Sequence, residues 1–233
     1  MITLYQYPPA LGIPSGSPFC VKTEILLKMA GVDYNVAKHA DPRKAPRGKL
    51  PYIVDSGRTI ADSEHIRFHL EETYNAKLDE GLTDLQRAQG HALARMIEER
   101  LYWGIVYFRW IDDKSWPHVR ETFFASVPAI IRPVIAGMVR KQVRGALYGH
   151  GLGRHSPSEI ERLCAEDLKS IAIQLDYKPY VMGDKPTTAD ATVGAFLAAI
   201  LLCELDSPLK RAADSHEVFG PYVERIMSTY FPK

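Results

Sequence analysis

The sequence predicts a small mixed α/β domain followed by an all-helical one. Three observations carry this expectation. In residues 1–77, short strand-like and helix-like runs alternate in the order βαβ, then β, β, α. Beyond residue 84 the alternating patterns stop and long runs of helical period take over. Between the two, residues 78–84 form a polar segment containing Gly81, suited to a linker.

Ile2 to Tyr7 alternates apolar and polar residues and is rich in strand formers, so a first strand is expected there. Pro8 to Gly16, rich in proline and glycine, reads as a loop. From Pro18 to about Ala30, Val21, Ile25, Leu26 and Met29 recur at helical spacing, and Gly31 follows where a C-terminal glycine belongs. Asp33 to Ala37 reads as a second strand, and His39 to Lys49 as a basic, proline-containing loop or irregular helix. Tyr52-Ile53-Val54 and Thr59-Ile60-Ala61 flank the turn Asp55-Ser56-Gly57 and predict a hairpin. Ser63 to Tyr74 then closes the unit as a helix. A parallel βαβ pair followed by a hairpin makes a four-stranded mixed sheet, not a doubly wound one.

The second part, residues 85–233, predicts one long helix from Leu85 to about Trp110. A second from Val119 to Tyr148 is expected to break near Pro128 and Pro133. A third runs from Ser158 to Tyr177, a fourth, largely buried, from Thr187 to Cys203, and a short last one from Tyr222 to Met227.

Composition narrows the class of protein. Hydrophobic residues make up 46% and charged residues 24% of 233, ordinary for a soluble globular chain. The formal charge of +1 gives no global reason to expect nucleic acid or an anionic membrane as partner. Cys20, Cys164 and Cys203 are odd in number and widely scattered, which argues against a disulfide framework and fits a reducing, cytoplasmic setting. Met1 to Tyr5 lacks the basic start and apolar core of a secretory signal.

Three features of the first domain converge on sulfur chemistry. In Ser17-Pro18-Phe19-Cys20, serine suits an N-cap and proline the first helical position. The unpaired amides and positive dipole end of such a helix start stabilise a thiolate. Leu50-Pro51 precedes a strand. A cis bond there would turn the Leu50 backbone away from the sheet, free to pair with an extended peptide, although X-Pro bonds are cis in only about 5% of cases. Asp62-Ser63-Glu64 opens another helix whose amides and Ser63 hydroxyl could hold a carboxylate. Taken singly, each has a structural explanation: two N-caps, a trans proline at a strand start, a small buried cysteine. Taken together they match a small acidic peptide thiol, of which glutathione is the obvious candidate.

These strings carry a family resemblance. Residues 1–77, through Ser17-Pro18-Phe19-Cys20-Val21-Lys22-Thr23-Glu24, Gly31-Val32-Asp33-Tyr34, Gly48-Lys49-Leu50-Pro51-Tyr52-Ile53 and Ala61-Asp62-Ser63, resemble the thioredoxin-like domain of cytosolic glutathione transferases. The remainder is similar to their helical domain. There Gly183 to Asp190 resembles the motif that caps the family's buried helix, and Thr187 with Asp190 satisfies the capping-box pattern, a structural role. Within the superfamily the chain looks most like the metaxin and failed-axon-connections branch.

The resemblance implies a protein that hydrogen-bonds the glutathione sulfur and keeps it ionised for attack on a small hydrophobic electrophile, in detoxification. Ser17 falls at the thiolate-stabilising position, with Cys20 and Tyr7 as alternatives. Lys49, Leu50, Pro51, Asp62 and Ser63 are expected to bind glutathione, and Tyr102, Trp103, Tyr107 and Trp110 to line the electrophile pocket. A twofold homodimer is also implied. A thiol oxidoreductase using Cys20 and a non-catalytic interaction module are the competing expectations. His65 and His69 stand four apart on a helix, but no third ligand accompanies them and no metal site is expected.

Overall fold

A computed structural model describes residues 1–232. The chain opens with β1 (Ile2–Tyr5), α1 (Pro18–Met29) and β2 (Tyr34–Val36), continues through the hairpin β3 (Tyr52–Asp55) and β4 (Arg58–Ala61), and closes this unit with α2 (Ser63–Tyr74). The sheet order is β2-β1-β3-β4: β1 lies parallel to β2 and antiparallel to β3, and β3 antiparallel to β4. The result is a thioredoxin-like mixed sheet. Strand alternation sends Ile2, Leu4 and Ile53 inward, each fully buried, to meet Ile25, Leu26, Ile66 and Leu70 from the two helices.

Among the described residues after 83 every named element is helical: α3 (Asp84–Met96), α4 (Tyr102–Val106), α5 (Trp116–Phe123), α6 (Arg132–His150), α7 (Pro157–Leu175), α8 (Thr188–Leu201), α9 (Pro208–Asp214) and α10 (Phe219–Tyr230). The long helix expected from Leu85 to Trp110 runs through, but it contains two wide π-helical turns, Ile97–Leu101 and Tyr107–Ile111. Pro128 does interrupt the next helix. Pro133, expected to break it, lies instead in the first turn of α6, where its missing N–H costs nothing. The short α9 escaped the sequence, although Ser207-Pro208 is a cap followed by a first-turn proline, and Ser207 Oγ accepts from the Lys210 N–H at 3.2 Å.

The centre of the molecule is α8, buried at almost every position from Ala189 to Ile200. It packs against α1, so one apolar core joins the sheet unit to the helical part. Asp190 fixes its start. One carboxylate oxygen accepts from the Val181 N–H (2.8 Å) and the Tyr222 hydroxyl (3.0 Å), the other from the Thr187 N–H (2.8 Å) and hydroxyl (2.9 Å). Close approach also dictates residue choice: a Cβ on Gly104 would stand 2.3 Å from Cys164 Sγ, so α4 and α7 meet only because residue 104 has no side chain. Among the described residues no helix is long and apolar enough to cross a membrane.

Candidate functional site

Ser17 occupies the N-cap position of α1, in extended conformation (φ −126°, ψ 127°), with Pro18 in the first turn. Its hydroxyl makes no cap bond to the helix amides. The side chain is therefore not consumed by the helix it opens, unlike that of an ordinary N-cap serine. The loop before it is tied down by its own polar groups: Ser15 Oγ donates to the Tyr7 carbonyl at 2.8 Å, and the Gly16 N–H to the Pro8 carbonyl at 3.0 Å. Phe19 stacks edge-on against Tyr102 (4.9 Å) and Phe196 (5.1 Å), which sets the start of α1 against the helical part.

The Leu50–Pro51 peptide is cis. Among the described residues neither the N–H nor the C=O of Leu50 forms a backbone hydrogen bond, while the Pro51 carbonyl accepts from Asp62 N–H at 3.4 Å. Asp62, rather than Ser63, is the N-cap of α2, and its carboxylate accepts from the Glu64 N–H at 2.9 Å. Its φ of +88° lies in a region that non-glycine residues avoid. Strain of this kind costs about 1–3 kcal/mol and persists where the surroundings enforce it. Ser63 follows as the first helical residue, 3% exposed.

These three segments line one cleft of about 800 Å³, at the upper end of the range for small-molecule sites. Tyr7, Ser17, Lys49, Leu50, Pro51, Asp62 and Ser63 all border it. The opposite wall comes from the helical part, where Tyr102, Trp103 and Trp110 are joined by Val106, Phe123 and Phe124. One side of the cleft is thus polar and rich in exposed main chain, and the other is aromatic.

Two expected residues are not on its walls. Tyr107 packs edge-on against Phe108 at 5.2 Å instead. It lies off the helix face shared by Tyr102, Val106 and Trp110, which are spaced four apart. Cys20 is fully buried among Ala45 and Leu50 and stays outside the cleft lining. Burial pushes its thiol up to about 11, although the Tyr7 main chain and the Ser15 and Ser17 hydroxyls pull the other way. Such a thiol is protonated at neutral pH and is a poor nucleophile. Tyr7 borders the cleft, but burial, with lesser contributions from Cys20, Tyr102 and Asp41, raises its phenol to about 12, so it stands as a proton-bearing donor.

Other functional groups were not legible in the sequence. Lys22, on α1, is 1% exposed, with Nζ 2.6 Å from Glu64 and 2.7 Å from Glu98. Arg95 adds a 2.7 Å ion pair to Glu98 and leaves its buried Nε without a partner among the described residues. Glu64, Arg95 and Glu98 all line the cleft. Burial alone would raise the Glu64 carboxyl, but the charge of Lys22, with Arg67 and Arg95, holds it below the ordinary carboxylate range. Arg109 also reaches the cleft from the π turn, donating to the carbonyls of Gly16 (3.0 Å) and Ala199 (3.3 Å). A helical lysine or arginine reads as solvated in sequence, and no local pattern marks these as buried. His69 bonds Asp55 at 2.8 Å and Thr73 at 3.1 Å, a structural role.

Comparison with known proteins agrees with this geometry. Residues 18–115 match the model of the glutathione S-transferase N-terminal domain, and residues 164–226 that of the glutathione S-transferase C-terminal domain. The chain is 35% identical to isoprene-epoxide–glutathione S-transferase of Rhodococcus sp. (strain AD45) over 99% of both chains. It is 35% identical to Failed axon connections of Drosophila melanogaster over 86% of this chain and 50% of that one. With metaxin-1 of Macaca fascicularis it shares 28% identity over 98% of this chain and 75% of its relative. A glutathione S-transferase of Ceriporiopsis subvermispora, solved in complex with glutathione, shares the fold at a TM-score of 0.65 and 18% identity, over 98% of this chain and 96% of that one.

Proposed function

This chain belongs to the glutathione S-transferase family, in its metaxin and failed-axon-connections-like branch, and from that premise we propose that it activates glutathione for attack on small apolar electrophiles. The observation that carries this reading is the meeting of a Ser17 hydroxyl that makes no cap bond, the unpaired Leu50 main chain and the Asp62–Ser63 helix start in one cleft with an aromatic far wall.

Each group has a task in that scheme. Leu50 pairs with the cysteinyl main chain of glutathione as an added strand does. The Ser63 hydroxyl and the first amides of α2 hold the γ-glutamyl carboxylate. Lys49, at the exposed rim, meets the glycine carboxylate through a charge-assisted bond. The sulfur then lies beside Ser17, whose O–H donates to it. A free thiol of pKa about 8.5 is mostly protonated at neutral pH, so lowering it by about two units makes thiolate the dominant form. The thiolate forms a C–S bond with an electrophilic carbon held against Tyr102, Trp103 and Trp110. With an epoxide, the class named for the Rhodococcus relative, the C–O bond breaks and the oxygen takes up a proton.

We assign glutathione binding to residues 1–77, the linker to 78–84 and the electrophile wall to 85–233. Three buried free cysteines suit a reducing, cytoplasmic setting, and a twofold homodimer is the expected assembly. The oxidoreductase alternative is weakened by Cys20 lying buried and protonated, while an oxygen at position 17 forms no mixed disulfide. The non-catalytic alternative draws support from the metaxin match across 98% of this chain. A conjugation assay with glutathione and a small epoxide separates them: turnover lost in Ser17→Ala and kept in Cys20→Ser is expected. No turnover by the native protein with any epoxide or aryl halide, despite glutathione binding, would favour the module.

A further inference from the structure

Arg109 is a cleft residue that glutathione recognition, as described above, does not require. Its side chain is buried, at 6% exposure, and among the described residues no carboxylate comes within ion-pairing distance. Lys22, Arg67, Arg95 and Arg100, the other partly or wholly buried cations of this region, each face an acid. Among the described residues Arg109 meets two carbonyl oxygens, Gly16 at 3.0 Å and Ala199 at 3.3 Å, and the Cys203 thiol. Arginine stays protonated even when buried, so its charge is present and largely uncancelled in a region of low dielectric.

Burying such a charge is costly, and the position of its two bonds suggests what offsets it. Gly16 immediately precedes Ser17. The bond from Arg109 therefore holds the last loop residue before the α1 start, with the positive charge behind it. Gly16 is itself tightly placed, since a Cβ there would stand 2.9 Å from the Phe123 ring. The titratable groups facing Arg109 are the Tyr102 phenol from α4 and the Cys203 thiol beyond α8. Tyr7 and Cys20 flank Ser17 from the sheet side, both protonated at neutral pH. The cleft's acids, Asp62, Glu64, Glu98 and Glu99, share it with Arg47, Lys49 and Arg95. Glu64 and Glu98 are already neutralised by Lys22 and Arg95. Asp62 is committed to capping α2 and Glu99 is exposed, so a thiolate beside Ser17 would be the anion placed to complement Arg109.

We propose that Arg109 supplies the positive field that ionises the bound glutathione thiol and, through Gly16, positions Ser17 beside it. The role rests on the glutathione reading above. The S–H proton passes to solvent, and the electron pair stays on sulfur.

Three variants of the full chain separate charge from anchoring. Arg109→Gln keeps N–H donors for the two carbonyls without the charge. Arg109→Lys keeps the charge with a shorter reach. Cys203→Asp leaves Arg109 in place and gives it a carboxylate partner, so it remains informative if Arg109→Gln does not fold. The ultraviolet absorbance of the thiolate is titrated against pH with glutathione bound, and S-methylglutathione binding is measured by calorimetry as a thiol-free control. Arg109→Gln and Cys203→Asp are expected to raise the apparent pKa of the bound thiol by about one unit, a tenfold drop in the ratio of thiolate to thiol. Arg109→Lys should stay near the native value, and S-methylglutathione affinity should change less than about twofold throughout. An unshifted thiol in folded Cys203→Asp or Arg109→Gln would overturn the proposal, as would an equal shift in all three variants, which would mark a purely structural bond. A native protein that binds neither glutathione nor its S-methyl form would instead sink the underlying glutathione assignment.

Discussion

Ser17 holds a hydroxyl that makes no cap bond to its own helix, three residues before a cysteine that the fold buries. The two positions therefore make opposite predictions. Ser17→Ala should lower kcat/KM for glutathione conjugation roughly a hundredfold, in the range measured for loss of one charge-stabilising donor. It should also move the acidic limb of the pH–rate profile upward. Cys20→Ser should change kcat/KM by less than about twofold, because the thiol touches no reactant; a hundredfold loss in that variant would mean the roles are reversed. Much at this scale was legible in the sequence. Ser17, Leu50, Pro51, Asp62 and Ser63 announced themselves through helix starts and a pre-strand proline, which are local signals. Arg109 did not, because nothing in a helical sequence marks a cation that will be buried without an acid. Tyr107 lies off the helix face that Tyr102, Val106 and Trp110 share, at steps of four, and so falls outside the cleft.

Three elements are joined beneath the cleft by Lys22 of α1, Glu64 of α2 and Glu98 of the first π turn. Removing the cation of this buried cluster leaves Glu64 and Glu98 to Arg67 and Arg95 alone, and losing a buried partner costs up to about 3–5 kcal/mol. Lys22→Met should show that loss in urea denaturation; a change under about 1 kcal/mol would mean the cluster is better solvated than its burial implies. The pH dependence has a definite sign. The folded Glu64 carboxyl lies below the ordinary 4.5, so the unfolded chain takes up its proton first. Its stabilisation is complete above that unfolded value and is lost as pH falls through the lower folded one. Glu64→Gln should therefore flatten the decline in stability on acidification below about pH 5. The long helices themselves were readable from period and caps, but α9 was missed, Pro133 opens α6 where a break was expected, and α10 extends three residues beyond its expected span at each end. Pairings among helices were not, since Lys22 and Glu98 lie 76 residues apart and only the assembled fold brings them together.

At the scale of the whole molecule, α8 acts as the common wall on which the sheet unit and the helical part are built. The two-part organisation was plain from the change of hydrophobic period after residue 84, a property that survives without any tertiary information. The cleft was only half legible. Its polar side follows from local motifs of residues 1–77, whereas the Val106, Phe123 and Phe124 contribution depends on how helices cross. Under the proposed function, recognition of a peptide thiol and supply of an apolar wall are divided between the two parts, with the reacting sulfur where they meet. Isothermal calorimetry of the full chain against glutathione tests that claim most directly. Saturable binding of one glutathione per chain at millimolar ligand or below, weakened at least tenfold by Ser63→Ala, is the expected result. An absence of heat at millimolar glutathione, with the protein folded, would contradict it and leave the cleft to some other occupant.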